Sequence, residues 1–139
     1  MPLIEAEERC KAKAGTIYLA PADYHLLVEA DHTFSLSVDA KVNNARPSID
    51  VFMIAAAEAW GRGLVAVLLT GANADGAVGM SAVRSAGGLC MVQEPLGAFA
   101  PEMPQAAIDR GGVDWIVPPD RIGFMITSLC TSSGRASLS

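Results

Sequence analysis

Histidine, cysteine and positive charge are all scarce in these 139 residues, and each shortage removes a class of function. The two histidines, His25 and His32, and the three cysteines, Cys10, Cys90 and Cys130, show no CxxC or cysteine–histidine spacing. No metal site is therefore expected, and an odd number of distant thiols makes no disulfide framework, so reduced thiols in a cytoplasmic protein are the expectation. Ten Lys and Arg against fifteen Asp and Glu give a net charge of -5. Phosphate backbones need clustered basic residues, so no nucleic-acid partner is expected. Glu58, Arg62 and Asn73 interrupt the apolar stretches before they reach the roughly 20 residues that span a bilayer, and "MPLIEAEER" has no basic region ahead of an apolar one. The chain should be neither membrane-embedded nor exported.

What is present suffices for a core. With 51% hydrophobic and 18% charged residues the composition is globular, and a chain of this length buries about two thirds of its unfolded surface. Three short β-rich runs, Thr16 to Ala20, Tyr24 to Glu29 and Thr33 to Val38, are separated by the turn-forming "PAD" and "ADH" and read as a meander or hairpin. Ile49, Phe52, Met53, Ala56 and Trp60 then fall on one helical face, with Pro47 suited to the first turn and Gly61 or Gly63 to the stop. From there strand and helix alternate: a doubly buried strand at Leu64 to Thr70, a helix from Gly76 to Ala86, a strand at Leu89 to Gln93, a helix at Pro104 to Arg110, a strand at Trp115 to Val117, and a helix from Pro119 to Cys130. The order predicts an α/β fold with a mostly parallel, doubly wound sheet behind an N-terminal hairpin or meander. A single domain over 1–139 with a frayed tail at 131–139 is expected.

The stretch "TGANADG" leaves the carboxyl end of the strand at Leu64 to Thr70, where open α/β sheets place their ligands. Two roles are open to Asp75 here. It suits the N-cap of the helix that begins at Gly76, and it suits the acid of a catalytic triad, with the backbone N–H groups around Gly71 to Asn73 facing an oxyanion. Asn73 stands where a dinucleotide fingerprint needs its second glycine, no P-loop lysine is present, and the ligand pattern of an EF-hand is missing, so no cofactor is expected.

Taken together, "GTIYLAPADYHLLVE", "RPSIDVFMIAAA", "VAVLLTGANADGAVGMSAVRSAGG", "VQEP" and "EMPQAAIDRGGVD" resemble, in order and spacing, the C-terminal part of the CheB protein-glutamate methylesterase domain. The resemblance implies hydrolysis of glutamyl methyl esters on chemoreceptors, with release of methanol, by a Ser-His-Asp triad on an α/β fold. The triad acid falls on Asp75. Gly71, Ala72, Asn73 and Gly76 fall on the active-site loop, where the family usually has Met and Gly at the positions of Ala72 and Asn73; since a backbone donor does not depend on the side chain, the resemblance leaves the oxyanion role open to the Ala72 N–H. Arg46 and Ser48 at a helix start, and Met103 and Pro104, fall on the border of the site. The family's G-x-S-x-G-G nucleophile turn and its Q-H-M-like histidine segment occur nowhere in this chain.

His25 reads as a structural hairpin residue, His32 as an exposed turn residue, Ser48 as a helix-start residue, and Ser81 and Ser85 as ordinary helix positions. The expected partners are methylated receptor glutamates, together with a missing N-terminal half, a receiver domain or a second copy. On its own the chain is expected to be inactive. The alternative is a non-catalytic interaction module of a chemotaxis or signalling complex.

Overall fold

Beyond residue 64 the alternation predicted from sequence is present. β5 (Val65–Leu68), α2 (Ala77–Ser85), β6 (Leu89–Gln93), α3 (Glu102–Arg110), β7 (Trp115–Val117) and α4 (Pro119–Ser132) follow one another. The three strands pair in parallel in the order β5-β6-β7. The structure, a computed structural model, describes residues 1–132. The frayed tail expected over 131–139 lies, from 133 onward, outside the described residues; 131 and 132 end α4.

Side chains alternate between the two faces of a strand. Ala66, Leu68, Cys90 and Val92 enter a core shared with Met80 and Val83 of α2 and Ala107 of α3. Met91 and Val67 enter the opposite one, with Ile122, Met125 and Leu129 of α4. Helices thus cover both faces of a parallel sheet. The double burial expected of Leu64 to Thr70 is incomplete, with Val65 and Val67 half-buried. The reason is that β5 is an edge strand.

Before the sheet, β1 (Leu3–Glu5), β2 (Ile17–Leu19), β3 (His25–Val28) and β4 (Phe34–Ser37) lead into α1 (Ile49–Trp60). The expected meander is only half formed. β3 and β4 make an antiparallel hairpin, whereas β2 pairs in parallel with β1, a strand the sequence does not announce. β1 is three residues long and exposed throughout, so no alternating pattern marks it. Leu26, Val28 and Phe34 of the hairpin pack on Ala56 of α1.

Ser48 is the N-cap of α1, its Oγ accepting from the Val51 N–H at 3.5 Å, and Gly61 at φ 51° is the C-cap. Pro47 therefore precedes the cap rather than occupying the first turn. α1 lies directly on α2. A Cβ added at Gly79 would stand 2.6 Å from Met53 Cβ, so the approach of these helices requires glycine there.

Gly79→Ala should lower stability by about 1–3 kcal/mol through overpacking, despite alanine's better helix propensity. Gly123→Ala in α4, where the added methyl meets nothing within 4 Å, should instead stabilise by about 0.5–1 kcal/mol. Urea unfolding of the two variants compares them directly; equal shifts of the same sign would contradict this account of Gly79.

Candidate active site

The loop after β5 runs along the carboxyl edge of the sheet and is tethered to the segment that enters α3. The Gly71 N–H donates to Ala100 O at 3.0 Å, and the Met103 N–H donates to Gly71 O at 3.0 Å. The Met103 sulfur occupies the space a side chain at Gly71 would need. Pro104 is buried in the first turn of α3, where its missing N–H has no intrahelical partner to lose. α3 starts at Glu102, two residues before the expected Pro104.

Asp75 is 3% exposed and accepts four hydrogen bonds. Its Oδ1 receives the Asn43 amide at 2.8 Å, the Ser48 hydroxyl at 2.8 Å and the Asp50 N–H at 3.1 Å, while Oδ2 receives the Ile49 N–H at 2.7 Å. Three of these donors, on Ser48, Ile49 and Asp50, begin α1, not α2; the fourth, Asn43, lies in the turn ahead of it. The expectation that Asp75 caps the helix it precedes is therefore corrected: Gly76, at φ 102°, is the N-cap of α2 and supplies no side chain. The donors at the start of α2 are met from across the interface, where Asp50 Oδ1 accepts from the Gly76 N–H at 2.9 Å and the Gly79 N–H at 2.7 Å. Each helix carries the acid that caps the other.

Burial by itself raises the Asp75 pKa. The Ile49 N–H, Asn43, the Asp50 N–H and Ser48 together outweigh it and hold the carboxyl below its ordinary range. Asp75 is an ionised, oriented acceptor.

The loop sorts its N–H groups into spent and free. Gly71 and Gly76, both expected at the oxyanion-facing loop, have theirs engaged as described. The Asp75 N–H donates to Asn73 Oδ1 at 2.8 Å, an Asx turn. Those of Ala72, Asn73 and Ala74 have no partner among the described residues and sit on exposed residues. Three successive free donors beside a fixed carboxylate can receive a negatively charged oxygen.

The remaining candidates are bound into the scaffold. The Arg46 guanidinium donates to Asp23 Oδ1 at 2.9 Å and to the carbonyls of Val38 and Asp39 at 3.2 Å, so it clamps the hairpin region rather than pointing to Asp75. His25 is buried; its Nδ1 accepts from the Ser48 N–H at 3.2 Å and its Nε2 faces Ala40 O at 2.9 Å, a pattern that assigns the proton to Nε2. Ser, His and Asp thus meet here in the wrong wiring for a nucleophile. Ser48 donates its proton to Asp75, and among the described residues no serine hydroxyl bonds a histidine ring. His32, expected to be exposed, is half-buried: it stacks on Trp60 at 4.8 Å and reaches Ala59 O at the end of α1. Burial, then the charge of Asp114, pushes the Cys90 thiol up to about 11, which makes it inert at neutral pH.

An apolar cavity of about 480 Å³ lies to one side, between the N-terminal strands and α1, lined by Tyr18, Phe34, Phe52 and Trp60. It meets the site only through Ser48 and Ile49. No group of acidic, histidine or cysteine side chains able to hold a metal occurs among the described residues, and no helix there is long and apolar enough to cross a membrane. Sequence reasoning missed Asp50 and Asn43. The signals were an acid in the first turn of a helix and an Asn-Asn pair suited to left-handed turn conformations.

Because its folded pKa is depressed, Asp75 contributes stability that is present above the unfolded carboxylate value of about 3.9 and is lost as pH falls through the folded value. Asp75→Asn should cost about 2–3 kcal/mol at neutral pH and should lose less than wild type on acidification. Urea titrations across the acid range test this, and parallel pH dependences would refute it.

A family model described as CheB methylesterase matches residues 1–126. A Leptospira interrogans protein named putative protein-glutamate methylesterase/protein-glutamine glutaminase is 45% identical over 125 residues, covering 90% of this chain and 65% of that protein. A Pyrococcus horikoshii protein-glutamate methylesterase/protein-glutamine glutaminase is 37% identical over 121 residues, covering 85% of this chain and 33% of its own length. The crystal structure of the Thermotoga maritima CheB methylesterase catalytic domain superposes with a TM-score of 0.85 at 33% identity, covering 90% of this chain and 68% of that one. The chain thus spans about two thirds or less of each of these relatives. Matched over nearly its whole length in sequence and fold, the chain belongs to the CheB methylesterase family.

Proposed function

We propose that this chain forms the acid and oxyanion-binding part of a protein-glutamate methylesterase of bacterial chemotaxis, acting in the cytoplasm on methylated receptor glutamates. The nucleophilic serine and the histidine come from a segment outside these 139 residues. The observation that carries this reading is the buried Asp75 carboxylate beside the free N–H groups of Ala72, Asn73 and Ala74.

In this scheme the serine hydroxyl adds to the glutamyl ester carbonyl while the histidine takes its proton. The resulting oxyanion is received by the loop N–H groups, and methanol leaves with the proton from the imidazolium. Water, activated by the same histidine, then releases the glutamate carboxylate and frees the serine. Asp75 stays ionised throughout, holds the imidazole by its second N–H and stabilises its cation. Its depressed pKa suits that task. Met103 borders the substrate path through its contact with Gly71, Ser48 supports the loop from behind through Asp75, and Arg46 acts only on the hairpin region. The relatives' names pair the methylesterase with a glutaminase; the same acyl transfer on a glutamine side chain releases ammonia in place of methanol.

A second reading, an interaction module without catalysis, draws on the exposed apolar side chains Leu3, Ile4, Ile17 and Leu19 of β1 and β2, a surface suited to another chain, a receiver domain or a second copy.

The isolated chain should not turn over a methylated receptor peptide or an activated ester. Combined with a family segment carrying the glycine-rich serine turn and the histidine, it should hydrolyse both, and Asp75→Asn, assayed where the variant is folded, should lower kcat by about 10⁴-fold. Turnover by the lone chain that Asp75→Asn abolishes, or a complemented enzyme indifferent to Asp75→Asn, would overturn the proposal. Association without turnover would favour the second reading.

A further inference from the structure

Asn43 belongs to none of the segments that carry the family resemblance, yet it touches both buried acids. Its side-chain nitrogen donates to Asp50 Oδ2 at 2.8 Å and to Asp75 Oδ1 at 2.8 Å. Both amide protons are used. Asn43 and Asn44 lie in the left-handed region, at φ 55° and 60°. The turn is closed by the Val42 N–H to Ala45 O at 3.1 Å and the Ala45 N–H to Val42 O at 2.9 Å. Asparagine tolerates that conformation and can still present an amide from it. Asn43 is exposed while Asp50 and Asp75 are buried, so the amide roofs the pair against solvent. Neither aspartate forms an ion pair among the described residues. The partners of these two carboxyl groups are neutral N–H and O–H donors.

The donors on Asp75 are unevenly divided. Oδ1 takes Asn43, the Ser48 hydroxyl and the Asp50 N–H, whereas Oδ2 takes the Ile49 N–H alone. A carboxylate oxygen has two lone-pair directions. Oδ1 is therefore full and Oδ2 keeps one direction open. We propose that Asn43 is a positioning residue: by occupying Oδ1 and bridging to Asp50, it fixes the rotation of the Asp75 carboxylate so that the open direction of Oδ2 faces the incoming histidine N–H. The proposal rests on Asp75 being the triad acid. Asn43 itself touches no substrate. It acts through Asp75, and Asp50 anchors the far end of the bridge while capping α2.

The test uses Asn43→Gly, which removes the amide at a backbone angle glycine adopts freely, and Asn43→Asp, which keeps the shape and replaces the donor by a third carboxyl. The titratable groups next to Asp75 are Asp50 on α1 and, one hydrogen bond further through Ser48, His25 on β3. Carboxyl carbon NMR titration of the 139-residue chain should show the Asp75 midpoint raised by about one pH unit in Asn43→Gly and further in Asn43→Asp. In the complemented enzyme Asn43→Gly should lower kcat about 10- to 100-fold at unchanged KM, with the acid limb of the kcat/KM profile moved upward. A midpoint that stays at its wild-type value in both variants overturns the proposal. So does a wild-type kcat in Asn43→Gly where Asp75→Asn abolishes turnover. If Asp75→Asn is without effect in the complemented enzyme, the triad reading is what fails, and the NMR midpoints still decide whether Asn43 sets Asp75.

Discussion

The structure turns on an exchange of caps between two antipodal pieces of sequence. An α-helix begins with N–H groups that have no intrahelical partner, and its first turn favours negative charge. Here the acid that meets this need at each helix comes from the other: Asp75 serves the start of α1, and Asp50 serves Gly76 and Gly79 of α2. The exchange joins residues about 25 positions apart in sequence. It works only where α1 and α2 lie close together, which Gly79 allows by leaving room for Met53.

The location and state of the site follow from that constraint. The sheet brings the Gly71 loop to its carboxyl edge, and two backbone bonds to Ala100 and Met103 hold it beside the entrance to α3. The cap exchange then draws Asp75 inward, ionised and nearly saturated, and leaves Ala72, Asn73 and Ala74 outside with N–H groups that no other described residue uses. A carboxylate that must orient a histidine and a row of donors that must meet an oxyanion are different requirements. Under the proposed triad reading a single six-residue loop meets both, because one end of it is pinned by helix termini and the other is free.

Much of this was legible in the sequence. The apolar runs at Leu64 to Thr70 and Leu89 to Gln93, alternating with helical stretches at Gly76 to Ala86, Pro104 to Arg110 and Pro119 to Cys130, predicted the parallel sheet. Asp75 stood out by its place after the first strand of that sheet. The pairing of β2 with β1 was not legible, since Leu3 to Glu5 is too short and too exposed to carry a pattern. Nor was the target of the Asp75 side chain. Local rules favour the helix that follows an aspartate, and only the tertiary contact of α1 with α2 turns the carboxylate to the other helix. Asp50 and Asn43 were passed over for the same reason: one looked like an ordinary first-turn acid and the other like a turn former. His32 looked exposed because its partner, Trp60, lies at the far end of a helix that begins 17 residues later.

The cap exchange also bears on how such a chain changes over generations. Replacing Asp75 takes the acceptor from N–H groups at the head of α1, and replacing Asp50 does the same at α2, so neither position drifts without harming the fold. Ala72 and Ala74 carry no such debt, because their backbone groups serve whatever side chains stand there, and Asn73 owes only its side-chain bond from the Asp75 N–H. A descendant that abandoned ester chemistry would therefore shed the identity of its loop residues long before it shed Asp75. The acid proposed for the triad would outlive the chemistry, preserved as a piece of architecture.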